Sequence, residues 1–383
     1  MRSRLTKVAM IGIVIVLATS VILACAPKAA PTPSPAPTPA PTPTPAPINL
    51  VMSSYLIYEM IDGYWPDAWA NELEEMTNGR IMVKERHWGG SVTKANEVLP
   101  AAGSGAIDIG YLYSSYYPAE LPLTQGLDIP LLTTNIAAQT RAVIKLYETY
   151  APFTEEWEKK NNVKVMFFSP DAGATCMNRE LFNKLEHFKG KKLRTFGPSA
   201  EILKAWGGTP VGVSFADIYT SLQTGVIDGA FATSFLAGSA NKFMEVAPYY
   251  LDPGLGHFCT GAAVMNLDRY NSLPDDLRKI IDSLRSSFLV TAIDIQDRVV
   301  VETIEALKKE GEYFFHRLPA EELEKGIKLA TPGIYDNWIA KEQANGLPAK
   351  ELFDKYVQLI REYERDSTFR NWYDVAKELG LAD

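Results

Sequence analysis

The chain has 383 residues, 46% of them hydrophobic, and a net charge of −8; that length and apolar content support two domains with cores of ordinary size. Residues 1–47 hold Arg2, Arg4, Lys7 and Lys28 and no acid, which leaves −12 for the rest. An acidic body with no basic stripe excludes nucleic acid and anionic membrane surfaces as partners.

Arg2, Arg4 and Lys7 precede an apolar run from Val8 to Ala24, the layout of an export signal. The run ends Ile22-Leu23-Ala24-Cys25, which resembles a bacterial lipoprotein cleavage box with Cys25 as the lipidated first residue; an uncleaved anchor or plain secretion are the alternatives. Residues 1–25 are therefore read as a lipoprotein signal peptide. Residues 26–47 repeat Pro-Thr-Pro and Pro-Ala-Pro. Such a segment buries no core and favours an extended polyproline II tether. These readings place the folded part outside the cytoplasm, lipid-anchored at the outer face of the cytoplasmic membrane or in the periplasm.

From Ile48 the pattern alternates strand and helix. Ile48 to Ser54 is a strand, and Trp65, Trp69, Leu73 and Met76 recur at helical spacing as a core stripe, stopped by Asn78-Gly79. Arg80 to Arg86 is a second strand that leads into His87-Trp88-Gly89-Gly90, a loop placed to face a cleft. Asn96 to Ala101 is helical and Ala106 to Tyr111 is a third strand. Four tyrosines then fall within Tyr111 to Tyr117. Tyr113 and Tyr116 are candidates for gripping a planar ligand with ring faces and hydroxyls; a domain interface or surface cluster is the alternative. Ala137 to Lys160 is helical and Val163 to Ser169 is a strand.

Between Gly190 and Phe235 the chain reads as strand (Lys192 to Phe196), helix, extended piece (Thr209 to Val213), helix (Phe215 to Thr224) and strand (Val226 to Ala230). That βαβαβ-like alternation predicts a parallel sheet with ligands meeting strand ends. Arg194 stands in an otherwise apolar strand, as a solvated edge residue or as a guanidinium turned into a cleft, where its fork matches a carboxylate.

The run GGTPVGVSFADIYTSLQTGVIDG, with Arg194 before it and NELEEMTNGRIMVK, GAIDIGYLY and LDIPLL upstream, resembles the solute-binding proteins of tripartite ATP-independent periplasmic (TRAP) transporters. The resemblance covers about residues 48 to 365. It implies an α/β, two-lobed periplasmic binding protein fold with crossing strands and a long helix spanning both lobes. Lobe I would comprise 48–173 plus about 260–305, and lobe II 174–259 plus about 306–383. It further implies that Arg194 binds the carboxylate of an organic acid, that TRAP membrane subunits are the partner, and that the chain is a receptor and not an enzyme. A binding protein of an ATP-driven (ABC) importer and a ligand-sensing partner of a signalling receptor are the rival readings.

Two departures from the family pattern bear on the ligand. The resemblance implies a second arginine after the strand ending at Ser169, where this chain has Asp171-Ala172-Gly173-Ala174. A ligand-touching asparagine is replaced by the run Ala230-Phe231-Ala232-Thr233. Fewer polar contacts and more aromatic area, with Phe231 and Phe235 as candidate walls and Thr233 and Ser234 as candidate hydrogen-bond partners, predict a monocarboxylate with an apolar or aromatic body.

Phe258 to Leu267 is a strand crossing back between lobes, and the apolar face from Leu277 onward, without Gly or Pro until Gly311, predicts a helix of about 50 Å. After a strand from Tyr313, helices are expected over Pro319 to Leu329, Gly333 to Ala344 and Pro348 to Glu364, with a surface helix over Thr368 to Leu381. His87, His187, His257 and His316 are scattered and Cys176 and Cys259 stand alone, so no metal site or cofactor is expected. The two cysteines read as separate buried thiols, with a disulfide as the alternative. No G-x-S-x-G, H-E-x-x-H or phosphate loop is present.

Overall fold

The computed structural model describes residues 46–382, apart from 59–60, 172, 312 and 366; Cys25 and the Pro-rich tether lie outside the described residues. Eleven strands follow one another there: β1 (Ile48–Ser54), β2 (Ile81–His87), β3 (Ile109–Tyr113), β4 (Val163–Ser169), β5 (Ala174–Asn178), β6 (Lys192–Arg194), β7 (Thr209–Val211), β8 (Gly229–Ser234), β9 (Tyr249–Asp252), β10 (Gly261–Asn266) and β11 (Phe314–Arg317). They form two sheets, β2-β1-β3-β10-β4 and β11-β9-β5-β8-β6-β7. The first sheet is parallel across β2-β1-β3, with β10 antiparallel to both β3 and β4. In the second, β6 pairs in parallel with β7 on one side and β8 on the other, the arrangement expected from the alternation between Gly190 and Phe235.

The chain passes from the first sheet to the second between β4 and β5, and back between β9 and β10. A third link is the helix Asp275–Glu310, whose 36 residues make a rod of about 54 Å. One part packs on β4, where buried Arg285 donates from Nε to the Val165 carbonyl at 2.8 Å. Farther along it meets the helices Phe235–Ala240 and Trp372–Glu378 beside the second sheet. β4, β5 and β10 are buried along almost their whole length, as strands covered on both faces must be.

The core departs from the sequence reading in several places. Trp65, Trp69 and Leu73 are fully buried, but Met76 at the helix end is 41% exposed. Ala320–Ala344 is one helix running through Pro332, because buried Trp338 and Tyr335 anchor the half that follows it on the carbonyls of Pro122 and Pro130. Helix Ala349–Glu364 packs on Ile136–Thr149 beside the first sheet, with buried Tyr356 accepting from Gln139 at 2.7 Å, although the sequence groups it with the second lobe. The last helix, Trp372–Glu378, is not a surface helix: Trp372 is 2% exposed and stacks on Phe235, ring centres 4.9 Å apart.

One buried carboxyl shapes the pH response of this core. Glu156 accepts from the Leu123 and Thr124 amides at 2.7 and 2.9 Å and from the Thr124 hydroxyl at 2.6 Å, satisfying amides at the start of the helix Pro122–Leu127. Burial nevertheless pushes its pKa up from 4.5 to about 7, with the three hydrogen bonds opposing the rise. The folded chain thus keeps a proton that the unfolded chain releases above pH 4.5, so this contribution is complete below that pH and fades as the pH climbs towards 7. The loss amounts to about 3 kcal/mol. Urea denaturation at pH 4 and pH 8 is expected to show wild type losing that much relative to Glu156→Gln; parallel behaviour of the two proteins would contradict it.

Candidate functional site

A cavity of about 350 Å³ opens between the two sheets. Its walls come from the segments that follow the carboxyl ends of β1, β3, β6 and β8 and from the two crossings, where ligands meet open α/β sheets. Tyr55 follows β1, Tyr113 and Tyr116 stand at the end of β3, Arg194 and Phe196 at the end of β6, and Thr233 and Ser234 at the end of β8. Asp171 comes from the first crossing, Phe258 and Cys259 from the second.

Arg194 is 7% exposed. Its Nε donates to the Val213 carbonyl at 3.2 Å, and its guanidinium carbon lies 4.7 Å from the Phe196 ring centre and 6.0 Å from that of Phe215. Among the described residues no carboxylate pairs with it. Burial lowers the guanidinium pKa, while Tyr116 and Cys259 act to raise it. Burial likewise raises the Tyr116 hydroxyl, with Arg194 opposing. A buried cation held by one carbonyl and two ring faces has unspent capacity for an anion. Of the two readings left open for this residue, the cleft-facing one is where the fold puts it.

Aromatic surface surrounds the guanidinium. Phe196 meets Phe258 edge-on at 6.1 Å between ring centres, and Tyr55 meets Tyr116 at 5.3 Å. The Thr233 hydroxyl is buried and without a hydrogen-bond partner among the described residues, while its carbonyl accepts from Thr175 at 2.7 Å. A buried hydroxyl left unpaired costs about 1–3 kcal/mol, which a ligand oxygen in the cavity would recover.

Three of the expected site residues lie elsewhere. Phe231 is fully buried against Phe188 and Trp206, and Phe235 packs with Tyr250, Phe315 and Trp372. The cause is a bulge: Thr233 faces Thr175 and Phe231 faces Cys176, so Ala232 has no opposite residue, and it takes a positive φ of 54°. That extra residue re-aims the strand end, turning Ala232, Thr233 and Ser234 to the cavity and both phenylalanines to the core. Ser234 also accepts from the Ala237 amide at 3.5 Å as a helix cap. Trp88 stands away from the cavity with its ring centre 5.6 Å from that of Tyr58.

Within the tyrosine run, Tyr113 and Tyr116 line the cavity, whereas Tyr111 bonds Ser169 and Tyr117 donates to the Ala95 carbonyl inside the core. Strand alternation puts Tyr111 and Tyr113 on one face, their ring centres 5.9 Å apart, so position along β3 separates them, and the 3-10 turn over Ser114–Tyr116 then redirects the chain. Sequence reasoning missed Tyr55, Asp171, Phe196, Phe215, Phe258 and Cys259 as wall residues. Phe196, two residues beyond Arg194, carried the one readable signal. Cys176 and Cys259 are both buried and are not joined by a disulfide.

Residues 63–341 match the family of bacterial extracellular solute-binding proteins, family 7. The chain belongs to this family. Among relatives of this solute-binding protein is the ectoine-binding periplasmic protein of Halomonas elongata, 22% identical over 284 residues, a match covering 73% of this chain and 81% of the relative. The chain spans about half the length of two further relatives, 54% and 53%. A TRAP periplasmic solute-binding protein from Desulfovibrio salexigens, in an open complex, superposes with a TM-score of 0.74 at 24% identity, covering 84% of this chain and 98% of the other. A TRAP solute-binding protein from Rhodoferax ferrireducens, with copurified benzoate, gives 0.73 at 20% identity over 83% and 99%. The two-lobed TRAP solute-binding fold expected from the sequence is thus the fold of this family-7 protein, and no helix among its described residues is long and apolar enough to cross a membrane.

Proposed function

We propose that this solute-binding protein captures a monocarboxylate with an apolar or aromatic body, pairs its headgroup with Arg194, and presents it, unchanged, to the membrane subunits of a TRAP transporter. The observation that carries the reading is the buried guanidinium of Arg194 at an aromatic-walled cavity with no carboxylate partner among the described residues. A charge-assisted bond to an ionised group contributes roughly 1.5–3 kcal/mol, and micromolar affinity needs about 8. Burial of a ring-sized apolar face, on the order of 150 Å² at about 25 cal/mol per Å², adds roughly 4 kcal/mol. Arginine and one ring face together supply roughly 5.5–7 kcal/mol, so neither suffices alone and further wall contacts on closure supply the remainder. The benzoate copurified with the Rhodoferax ferrireducens neighbour is an aromatic monocarboxylate of this kind.

Isothermal titration across organic acids tests the reading, with bound acid recovered unchanged by mass spectrometry. Benzoate, phenylacetate and branched-chain acids are expected to bind at least about tenfold more tightly, roughly 1.4 kcal/mol, than succinate or sialic acid; the reverse order would overturn it.

The lipid anchor belongs to the same proposal. With Cys25 lipidated and the Pro-rich segment as spacer, the receptor stays near the membrane that holds its transporter. Cells fed a palmitate analogue are expected to label the wild-type chain and not Cys25→Ser, which should also leave the membrane fraction. Equal labelling of both would remove the anchor from the account.

A further inference from the structure

The cavity has a second charged wall residue. Asp171 sits on the first crossing, two residues beyond the end of β4, and is 2% exposed. Tyr113, another wall residue, donates its hydroxyl to Asp171 Oδ2 at 3.2 Å. Asp171 is not among the groups acting on the Arg194 guanidinium, which are Tyr116 and Cys259. The carboxylate therefore does not serve to neutralise the arginine.

Among the described wall residues, Arg194 is the one cation and Asp171 the one carboxylate. The rest of the wall is mostly aromatic and apolar, with Tyr55, Phe196 and Phe258 in it. A ligand filling such a cavity meets opposite demands from these two side chains. An ionised carboxylate only accepts hydrogen bonds, so a group lying against Asp171 in that form must donate. A second anionic group placed there faces like-charge repulsion in a buried setting, where it is screened little. Discrimination of this kind works as much by rejecting the wrong solute as by holding the right one.

Resting on the carboxylate reading above, we propose that Asp171 is a specificity residue of this cavity: the ligand is a monocarboxylate carrying a hydrogen-bond-donating hydroxyl or ammonium group at the end remote from Arg194, and dicarboxylates are turned away by Asp171. Arg194 sets where the headgroup goes, and Asp171 sets what the other end must be.

The test is titration of the full chain, wild type and Asp171→Ala, with benzoate and phenylacetate carrying hydroxyl, aminomethyl, methoxy or carboxylate substituents at the meta and para positions. In wild type at least one hydroxyl or aminomethyl acid is expected to bind about tenfold more tightly than its methoxy counterpart, and the matching dicarboxylate about tenfold more weakly than the unsubstituted acid. In Asp171→Ala both ratios should fall below about threefold. Because the readout is a ratio within one protein, a general loss of affinity or stability does not imitate it. The hydroxyl and aminomethyl arms distinguish a neutral donor from a cation, and Asp171→Asn, which retains an acceptor oxygen, should keep the hydroxyl preference and lose the aminomethyl one. Ratios unchanged in Asp171→Ala, or a wild type that prefers the dicarboxylate, would overturn the inference while leaving the Arg194 reading intact. Absence of binding by every acid in wild type would overturn both.

Discussion

Arg194→Met is expected to weaken binding of the best carboxylate by roughly 100-fold or more, since removing one member of a buried charge pair costs about 2–5 kcal/mol. Methionine fills similar volume against Phe196 and Phe215, the rings now 4.7 and 6.0 Å from the guanidinium carbon, so the cavity wall should survive. The unliganded variant should be as stable as wild type or more so, because burial already works against the charged form of this side chain and no carboxylate among the described residues compensates it. Arg194→Lys, which keeps the charge and loses the fork, should fall between, roughly tenfold weaker than wild type. Titration of the three proteins with one acid, alongside thermal melts without it, separates the two effects. Unaltered affinity in the methionine variant would remove the guanidinium from the account of binding.

Gly256→Ala is expected to destabilise the fold by about 3 kcal/mol or more. Gly256 has φ +70°, and an added Cβ would collide with the backbone carbonyl oxygen of Thr133. The left-handed conformation contributes about 1 kcal/mol and the forced shift of packed backbone about 1–3 more. Gly346 provides the control: its φ is +79° but nothing lies within 4 Å of an added Cβ, so Gly346→Ala should show the conformational cost alone, about 1 kcal/mol. The site should feel the first change too. The Gly256 carbonyl accepts from the Ala174 amide at 2.9 Å, tying the second crossing to the end of the first, and the Leu255 carbonyl accepts from the Leu131 amide at 2.8 Å. Phe258 and Cys259 of the cavity wall follow at once. Denaturation of both variants, with carboxylate titration of whichever remains folded, checks the prediction; equal losses at the two glycines would contradict it.

The parts of the fold that were legible in advance are those governed by local spacing. β1 and β4 begin and end where alternating or continuous apolar runs do, and the long helix needs only an unbroken apolar face. The parallel trio β8-β6-β7 follows from strands separated by helices. What failed were elements whose character depends on a distant neighbour. β5 and β9 are short and carry no local signal, since β5 becomes a strand by pairing with β8 and β9, and β9 by pairing with β5 and β11. The helix Trp372–Glu378 looked polar enough for the surface, and is buried because Phe235 and Arg317 of other elements meet Trp372, Asn371 and Tyr373.

The site divides along the same line. By itself the sequence determined an export-signal pattern, a Pro-rich segment that buries no core and an alternation of strands and helices, because composition, period and spacing are properties of neighbouring residues; that the body resembles a solute-binding protein and that Arg194 is the cation to watch came from the family resemblance. Only the tertiary structure decided which aromatic groups surround that cation. A single unpaired residue at Ala232 sends Phe231 and Phe235 inward and Thr233 outward, and the two crossings bring Asp171 and Phe258, 87 positions apart in the chain, onto one wall. Which way a strand end turns, and which segments meet across a cleft, are set by packing between elements, and no local pattern encodes that.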